Sequence, residues 1–265
     1  MKRLFVLTIC LCLLFAGCGE KEVSGPKWEP QRASADAEPY AQQTIKIIDQ
    51  YLSFEISKDA AKKQFDEVYF RIKDNDYDHK SANYCIESAI LSLTAHAKEF
   101  TDTDFHMYRD ILSYQIGEEV SGKVYAPKKK RVGFNDEETY IANFLNIDQF
   151  PYMSSYILNH GSGFTCSLDF DAMTCVKVTD LREYAETIIT NARKSNITFS
   201  SSISFDYYCY DQLVFTLSFD KISEDGIRIF LFSGSLDQTL GEYDSLDKIP
   251  DALKVAEDYF GKYAP

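Results

Sequence analysis

The first half of the sequence, from residue 40 to about residue 116, carries apolar residues at the three- and four-residue spacing of amphipathic helices. Short polar joints separate the apolar stripes, so successive helices are expected to pack antiparallel as a small bundle. Ser57, with Asp59 in the following turn, is the expected start of the second helix. The four stripes cover residues 45–52, 61–72, 82–100 and 108–116.

Apolar and polar residues alternate over most of the second half, which is the pattern of strands with one buried face. Helices are expected at residues 181–193 and 251–260, with turns at Asp171-Ala172 and at residues 224–226. The predicted class is α+β, with a small N-terminal helical bundle followed by an antiparallel sheet with packed helices. The alternating segments cover residues 164–170, 174–178, 205–209, 213–219 and 227–232.

The first 18 residues have the organisation of an export signal. A positively charged start precedes an apolar run over residues 4–15, which is too short to span a bilayer as a mature helix. Ala16-Gly17 directly before Cys18 resembles the lipobox of bacterial lipoproteins. The resemblance implies cleavage before Cys18 and a diacylglyceryl group on its thiol, with acyl chains such as palmitate in the membrane. A plain secretory signal cut nearby is the alternative.

The pattern divides the chain into five parts. Residues 1–17 are the predicted signal peptide, 18–39 a lipidated tether, 40–116 the helical module, 117–139 a linker, and 140–265 the α+β module. The tether has no hydrophobic period. Its Trp28 is expected to be solvated, with contact to the membrane interface as the alternative. The predicted location is the outer face of the cell membrane.

The net charge of the sequence limits the classes of molecule that the protein is expected to bind. The sequence has a net charge of −13, and removal of the leader takes away two more cations. Nucleic acid is excluded, since binding it requires a clustered excess of cations. An anionic membrane surface repels the acidic protein, so the lipid group must hold the protein at the membrane. The same negative charge attracts cationic partners.

Four cysteines remain after maturation besides Cys18, and they allow two disulfides from three pairings. Cys166 and Cys175 flank one predicted turn and form the candidate disulfide. They face each other only if residue 169 pairs with residue 172; a two-residue loop at 171–172 sets them diagonally. Cys85 and Cys209 are expected to be buried free thiols.

A run of aromatic residues near position 207 is the candidate recognition surface. Tyr207, Tyr208 and Tyr210 place rings on both faces of one strand, where exposed rings stack on sugars or anchor a protein partner. The alternative is an aromatic-rich core with tyrosine hydroxyl groups at its rim.

No motif predicts catalytic, cofactor-binding or metal-binding residues. The segment Asp74–Asp78 lacks the glycine and the glutamate of a calcium loop. The four histidines lack the spacing of a helical zinc site. Ser245-x-x-Lys248 lacks the companion elements of serine acylases. We therefore expect no cofactor and favour a non-enzymatic protein.

Short motifs in the second half resemble the extracytoplasmic domain of lysozyme-responsive anti-sigma factors, which is also found in some cell-wall deacetylases and lipoproteins. The sequence departs from that family at Cys175, where the family usually has glycine. The resemblance implies an envelope sensing or binding module without catalytic residues of its own. The motifs are His160-Gly161, Ser167-Leu168-Asp169-Phe170-Asp171, Thr174, Val178-Thr179-Asp180-Leu181, Ser223-Glu224-Asp225-Gly226-Ile227, Gly241 and Ile249-Pro250.

The sequence thus predicts a membrane-anchored binding or sensing protein whose partner is a basic protein or a cell-wall polymer. The alternative is an envelope hydrolase acting on peptidoglycan or glycan through a carboxylate pair. A pocket with convergent carboxylates of perturbed pKa favours the enzyme, and a flat aromatic patch favours the binding protein. A structural scaffold has neither feature.

Overall fold

The computed structural model describes residues 27–126, 129–132, 135–174, 176–195, 200–222, 226–234 and 238–261. Cys18, the leader, Cys175 and the predicted turn at 224–225 lie outside the described residues. Within the described ranges, no helix combines the length and the apolar character needed to cross a bilayer.

Four helices form the predicted bundle. Helix α1 packs against α2 and α4, and α3 packs against the same two helices, so the four close around a shared interior. Apolar residues of every helix point into this interior, among them Ile48, Phe65, Ile90 and Leu112. The helices are α1 (Glu38–Leu52), α2 (Lys58–Ile72), α3 (Ala82–His96) and α4 (Asp102–Ile116).

Local signals set the ends of these helices. Ser57 begins α2 as predicted, and its Oγ accepts a hydrogen bond from Ala60 N at 3.2 Å. Ser81 caps α3 in the same way through Tyr84 N. Helix α4 ends at Gly117, whose φ of 78° is a left-handed conformation that glycine adopts without strain.

The second half forms one sheet in which the described strands are ordered β1 to β7 as in the sequence. The β1–β2 and β3–β4 pairs are parallel, and the other four pairs are antiparallel. The fold class is therefore α+β. The elements are β1 (Lys130–Val132), α5 (Asp136–Leu145), β2 (Ser154–Asn159), β3 (Phe164–Asp171), α6 (Leu181–Arg193), β4 (Ser202–Cys209), β5 (Gln212–Asp220), β6 (Arg228–Ser233), β7 (Thr239–Tyr243) and α7 (Ile249–Phe260).

The predicted hairpin around Asp171-Ala172 is wrong. Strand β3 runs through Asp171 and is followed by two short 3₁₀ turns, at Ala172–Thr174 and Val178–Asp180. Helix α6 then returns the chain to begin β4 beside β3 in the same direction. A crossover helix of this kind produces a parallel pair, whereas a tight turn produces an antiparallel one. The sequence analysis also missed α5, β1, β2 and β7.

The two faces of the sheet differ in composition. One face is apolar and buried, and α6 and α7 contribute to the same core through side chains such as Ile188 and Phe260. The other face, here called the open face, carries half-buried polar and aromatic side chains. They are Thr165, Ser167, Asp169, Ser204, Asp206, Tyr208, Thr216, Ser218, Phe230 and Phe232.

The segment of residues 27–37, here called the strap, packs onto the body. Trp28 is only 1% exposed, so the expectation of a solvated tryptophan is wrong. Its backbone N–H donates to Tyr259 O at 2.8 Å, and its ring lies edge-on to Phe260 at 5.4 Å. The strap buries isolated residues outside any regular helix or strand, which leaves no periodic pattern for sequence analysis to detect.

The helical bundle and the sheet share one continuous core. Tyr114 of α4 stacks on Tyr210 at the β4–β5 turn, with ring centroids 4.4 Å apart. Gln115 Nε2 donates to Tyr210 O at 2.6 Å, and Gln212 Nε2 donates to Gln115 Oε1 at 2.6 Å. Gln212 also exchanges two 2.9 Å hydrogen bonds with the backbone of Gln31 in the strap. The β4–β5 turn is therefore the point where strap, bundle and sheet meet.

Candidate functional site

Four carboxylates form a line along β3, β4 and the turn that follows β4. We call Asp169, Asp171, Asp206 and Asp211 the acidic stripe. Asp169 and Asp171 are two residues apart on β3 and so project to the same face of the sheet. Asp206 lies opposite Asp169 in the parallel register, and Asp211 lies in the β4–β5 turn. The stripe thus runs from the middle of the open face to the helical bundle.

Hydroxyl groups orient the two carboxylates at the centre of the sheet. Ser167 Oγ donates to Asp206 Oδ2 at 3.0 Å, and Thr216 Oγ1 donates to Asp206 Oδ1 at 2.5 Å. Ser154 Oγ donates to Asp169 Oδ2. No lysine, arginine or histidine among the described residues forms an ion pair with any member of the stripe. Its negative charge is therefore not neutralised within the described part of the protein.

The turn that carries Asp211 is strained. Tyr210 and Asp211 have φ values of 49° and 71°, and they connect the paired residues Cys209 and Gln212. A two-residue hairpin turn with both φ values positive usually contains asparagine and glycine. Tyr210 and Asp211 are neither asparagine nor glycine, so the surrounding structure must hold them in this conformation.

Asp171 supplies part of that support. Its Oδ1 accepts a hydrogen bond from Met173 N at 2.6 Å, and Asp211 N lies 3.5 Å from its Oδ2. Cys85 of α3 donates its thiol hydrogen to Asp211 O at 3.3 Å. We assign Asp171 a positioning role, because its carboxylate is occupied by backbone N–H groups while Asp211 is exposed.

Three carboxyl groups of the stripe have raised pKa values. Burial raises the pKa of Asp171 to about 7, and the nearby charge of Asp211 acts in the same direction. Burial also raises the pKa of Asp169 to about 6. The surrounding protein partly desolvates the carboxyl of Asp211 and raises its pKa to about 6, although solvent still reaches this residue. The charge of the stripe consequently changes between about pH 5 and about pH 8.

The stripe ends in a small cleft between the bundle and the sheet. The cleft has a volume of about 140 Å³. Ser88 and Ser92 of α3 and Tyr108 of α4 line one side, and Asp171 and Asp211 line the other. Clefts between substructures are frequent ligand sites, and this one is lined by two carboxylates and by five hydroxyl-bearing residues, which include Tyr125 and Thr174.

The chemistry of the stripe does not extend to a metal centre. Among the described residues, no group of three or more histidine, cysteine, aspartate or glutamate side chains is arranged to hold a metal ion. Ammonium and guanidinium groups are instead the charged ligands that isolated carboxylates and hydroxyl oxygens bind in proteins.

The predicted tyrosine surface is wrong for two of its three residues. Tyr207 is 2% exposed; its hydroxyl donates to Val176 O at 2.6 Å and its ring stacks on Phe215. Tyr210 is 6% exposed and packs on α4. Tyr208 is half-buried on the open face. The alternation in β4 places residue 207 inside, and the bundle covers residue 210, which strand pattern alone does not reveal.

The cysteines agree with the sequence analysis in part. Cys85 and Cys209 are buried free thiols, as predicted. Cys166 is also buried, and burial raises the pKa of its thiol to about 12. The strand register that was to bring residues 166 and 175 together is absent, because β3 pairs with β2 and β4. Since Cys175 lies outside the described residues, the Cys166–Cys175 disulfide stays a prediction.

No member of the stripe was assigned a functional role from the sequence, although Asp169 and Asp171 belong to one of the motifs named above. Asp169 and Asp171 stand at alternate positions of a predicted strand, so their shared face was visible in the sequence. Their proximity to Asp206 and Asp211 depends on the parallel β3–β4 pair, which no local signal marks.

Comparison with known proteins does not assign the site. No protein-family model matches the chain, and no significant match is found among curated proteins or solved structures. The resemblances to lipoproteins and to anti-sigma factor domains stay predictions. The function is therefore argued from the geometry of the stripe and the cleft.

Proposed function

We propose that this protein is a lipid-anchored extracytoplasmic binding module that recognises a basic protein through the acidic stripe. The observation that carries the proposal is the line of four carboxylates along β3, β4 and the β4–β5 turn without a cationic partner among the described residues. Uncompensated carboxylates fixed by neighbouring hydroxyl groups are prepared to accept lysine and arginine side chains.

The overall charge supports this assignment. A net charge of −13 attracts basic proteins over a distance set by ionic strength, about 8 Å in physiological salt. Long-range attraction brings a partner to the surface, and the stripe offers carboxylates that Ser154, Ser167 and Thr216 already orient. The half-buried rings of Tyr208, Phe230 and Phe232 on the same face provide apolar contact area beside it.

The proposed anchoring depends on Cys18. Its replacement by serine removes the thiol that the diacylglyceryl group requires, so Cys18→Ser is expected to block processing and to release the protein from membranes. Fractionation followed by mass spectrometry of the N-terminus measures both effects. Unchanged retention of the serine variant in the membrane fraction contradicts lipid anchoring at this residue.

Removing three charges from the stripe tests the proposed binding site. The triple variant Asp169→Asn, Asp206→Asn and Asp211→Asn is expected to bind lysozyme, used as a basic probe, roughly tenfold more weakly than the parent. The parent affinity is also expected to fall with added salt. The measurement is calorimetric titration of the mature chain in detergent micelles.

A matched control separates the stripe from net charge. The variant Asp74→Asn, Asp76→Asn and Asp258→Asn removes the same charge from exposed positions outside the stripe. It is expected to weaken lysozyme binding by less than about threefold. Equal weakening by the two triple variants, or preferential binding of an uncharged wall polymer, contradicts recognition of a basic protein at the stripe.

One observation favours the hydrolase as a second candidate. Asp171 and Asp211 line a cleft and have raised pKa values, as a carboxyl that serves as a general acid requires. Release of reducing ends from purified peptidoglycan, abolished by Asp211→Asn, would establish that function. The engagement of Asp171 with backbone N–H groups favours binding over catalysis.

A further inference from the structure

A second cavity, here called the chamber, adjoins the acidic stripe at Met173 and Tyr210 but plays no part in the proposed function. It has a volume of about 390 Å³, within the range of small-molecule sites. The segment 122–124, the turns around residues 172–179 and the end of α7 enclose it. Its lining is Gly122, Lys123, Val124, Ala172, Met173, Val176, Lys177, Val178, Thr179, Tyr207, Tyr210, Glu257, Phe260 and Gly261.

The interior of the chamber is apolar. Met173, Val176, Val178 and Phe260 are each less than one-tenth exposed. An apolar ligand that displaces water from these side chains gains hydrophobic free energy in proportion to the area it covers. The size of the chamber limits that ligand to a small molecule.

Tyr210 contributes a neutral hydrogen-bond donor to the lining. Tyr210 is 6% exposed, and its hydroxyl has no hydrogen-bond partner among the described residues. The neighbouring Tyr207 differs, because its hydroxyl donates to Val176 O at 2.6 Å. Solvent reaches the Tyr210 hydroxyl, which is not one of the enclosed unpaired polar atoms of the described residues, so it is available to donate to an acceptor on a ligand in the chamber.

The charged residues of the lining have an excess of cations, in contrast to the acidic protein as a whole. Lys123 and Lys177 are exposed, and neither forms an ion pair within the described residues. Glu257 is the single acidic residue of the described lining. Two ammonium groups against one carboxylate favour a ligand with one negative charge.

We propose that the chamber is a binding site for a small apolar carboxylate, of which a medium-chain fatty acid is the representative. The alkyl chain packs among Met173, Val176, Val178 and Phe260. The carboxylate accepts the hydrogen bond that Tyr210 leaves unused and complements Lys123 and Lys177. The two proposals concern different ligands and are tested by different variants, so either can fail without the other.

The protein contains its own reporter for this site. Trp28 is the only tryptophan in the sequence, and its ring lies 5.4 Å from the ring of Phe260, which lines the chamber. We suggest titrating the mature chain with decanoate, decanol and decylamine below their micelle concentrations. Trp28 fluorescence and calorimetry are read in parallel.

Decanoate is expected to bind saturably at one site, about tenfold more tightly than decanol or decylamine. Tyr210→Phe and the double variant Lys123→Gln, Lys177→Gln are each expected to weaken decanoate binding about tenfold. Matched controls are Tyr184→Phe and the double variant Lys73→Gln, Lys80→Gln, which change residues outside the lining and are expected to leave binding unchanged.

Val178→Phe fills the chamber and is expected to abolish decanoate binding. If this variant does not fold, as judged by circular dichroism, the tyrosine and lysine variants decide the question. The proposal is overturned if decylamine binds as tightly as decanoate, or if the parent and the Tyr210→Phe variant bind decanoate equally tightly. Absence of saturable decanoate binding overturns it as well.

Discussion

Replacement of Trp28 by alanine is expected to lower the free energy of unfolding by about 3–5 kcal/mol. The side chain is 1% exposed and lies against Phe260, so its removal leaves a large cavity between the strap and α7. Partial release of the strap also weakens the hydrogen bonds between Gln31 and Gln212. Urea denaturation followed by circular dichroism measures the effect.

Phe70→Ala is the control for this substitution. Phe70 is 68% exposed on α2, so its truncation creates no cavity and is expected to change stability by less than about 0.5 kcal/mol. A Trp28→Ala variant as stable as Phe70→Ala contradicts the packed strap and restores the interpretation of this segment as a free tether.

Stability is expected to fall as the pH rises from about 4 to about 7. The pKa of Asp171 is raised from 3.8 to about 7 in the folded protein by burial. The folded state keeps this proton over a range where the unfolded chain has lost it, so the stabilising contribution is complete below pH 3.8 and is lost as the pH passes 7. For Asp171 alone the loss is about 4 kcal/mol at most. Asp169 and Asp211 act with the same sign.

The substitution Asp171→Asn isolates the contribution of this residue. Unfolding free energies of the parent and the variant are compared between about pH 4 and about pH 8, and the variant is expected to show a shallower decline. Asp76→Asn, at an exposed position, is expected to retain the slope of the parent. A parent that gains stability over this range, or an Asp171→Asn variant with an unchanged slope, contradicts the assignment.

The same titration affects binding in the opposite direction. Protonation of Asp169 and Asp211 below about pH 6 removes negative charge from the stripe and is expected to weaken its attraction for a basic protein. The protein is therefore most stable under conditions where its proposed binding site is least charged. Functional sites commonly have such opposed requirements.

Local patterns in the sequence were sufficient for much of the fold. The apolar stripes predict all four helices of the bundle, and Ser57 marks the start of α2. The alternation along β4 places Phe205 and Cys209 on the buried face of the strand, where they lie. These features depend on neighbours in sequence, through the helical and strand periods.

The remaining features depend on contacts between distant residues. The parallel β3–β4 pair follows from the path of the chain through α6, and Trp28 is buried by Phe260, more than two hundred residues away. The acidic stripe also depends on distant residues, since Asp169 and Asp206 become neighbours only through the crossover that α6 makes between β3 and β4. Polar positions on each strand were visible in the sequence, but their meeting at one site was not.

Zero-length cross-linking tests the central claim most directly. A carbodiimide joins a carboxylate to a lysine ammonium only where the two are in contact, so cross-links between the mature chain and lysozyme identify the carboxylates that bind the basic protein. We expect the cross-links to concentrate at Asp206 and Asp211 and to be lost in high salt. Cross-links concentrated instead at exposed carboxylates outside the stripe, such as Asp74 and Asp258, would contradict it.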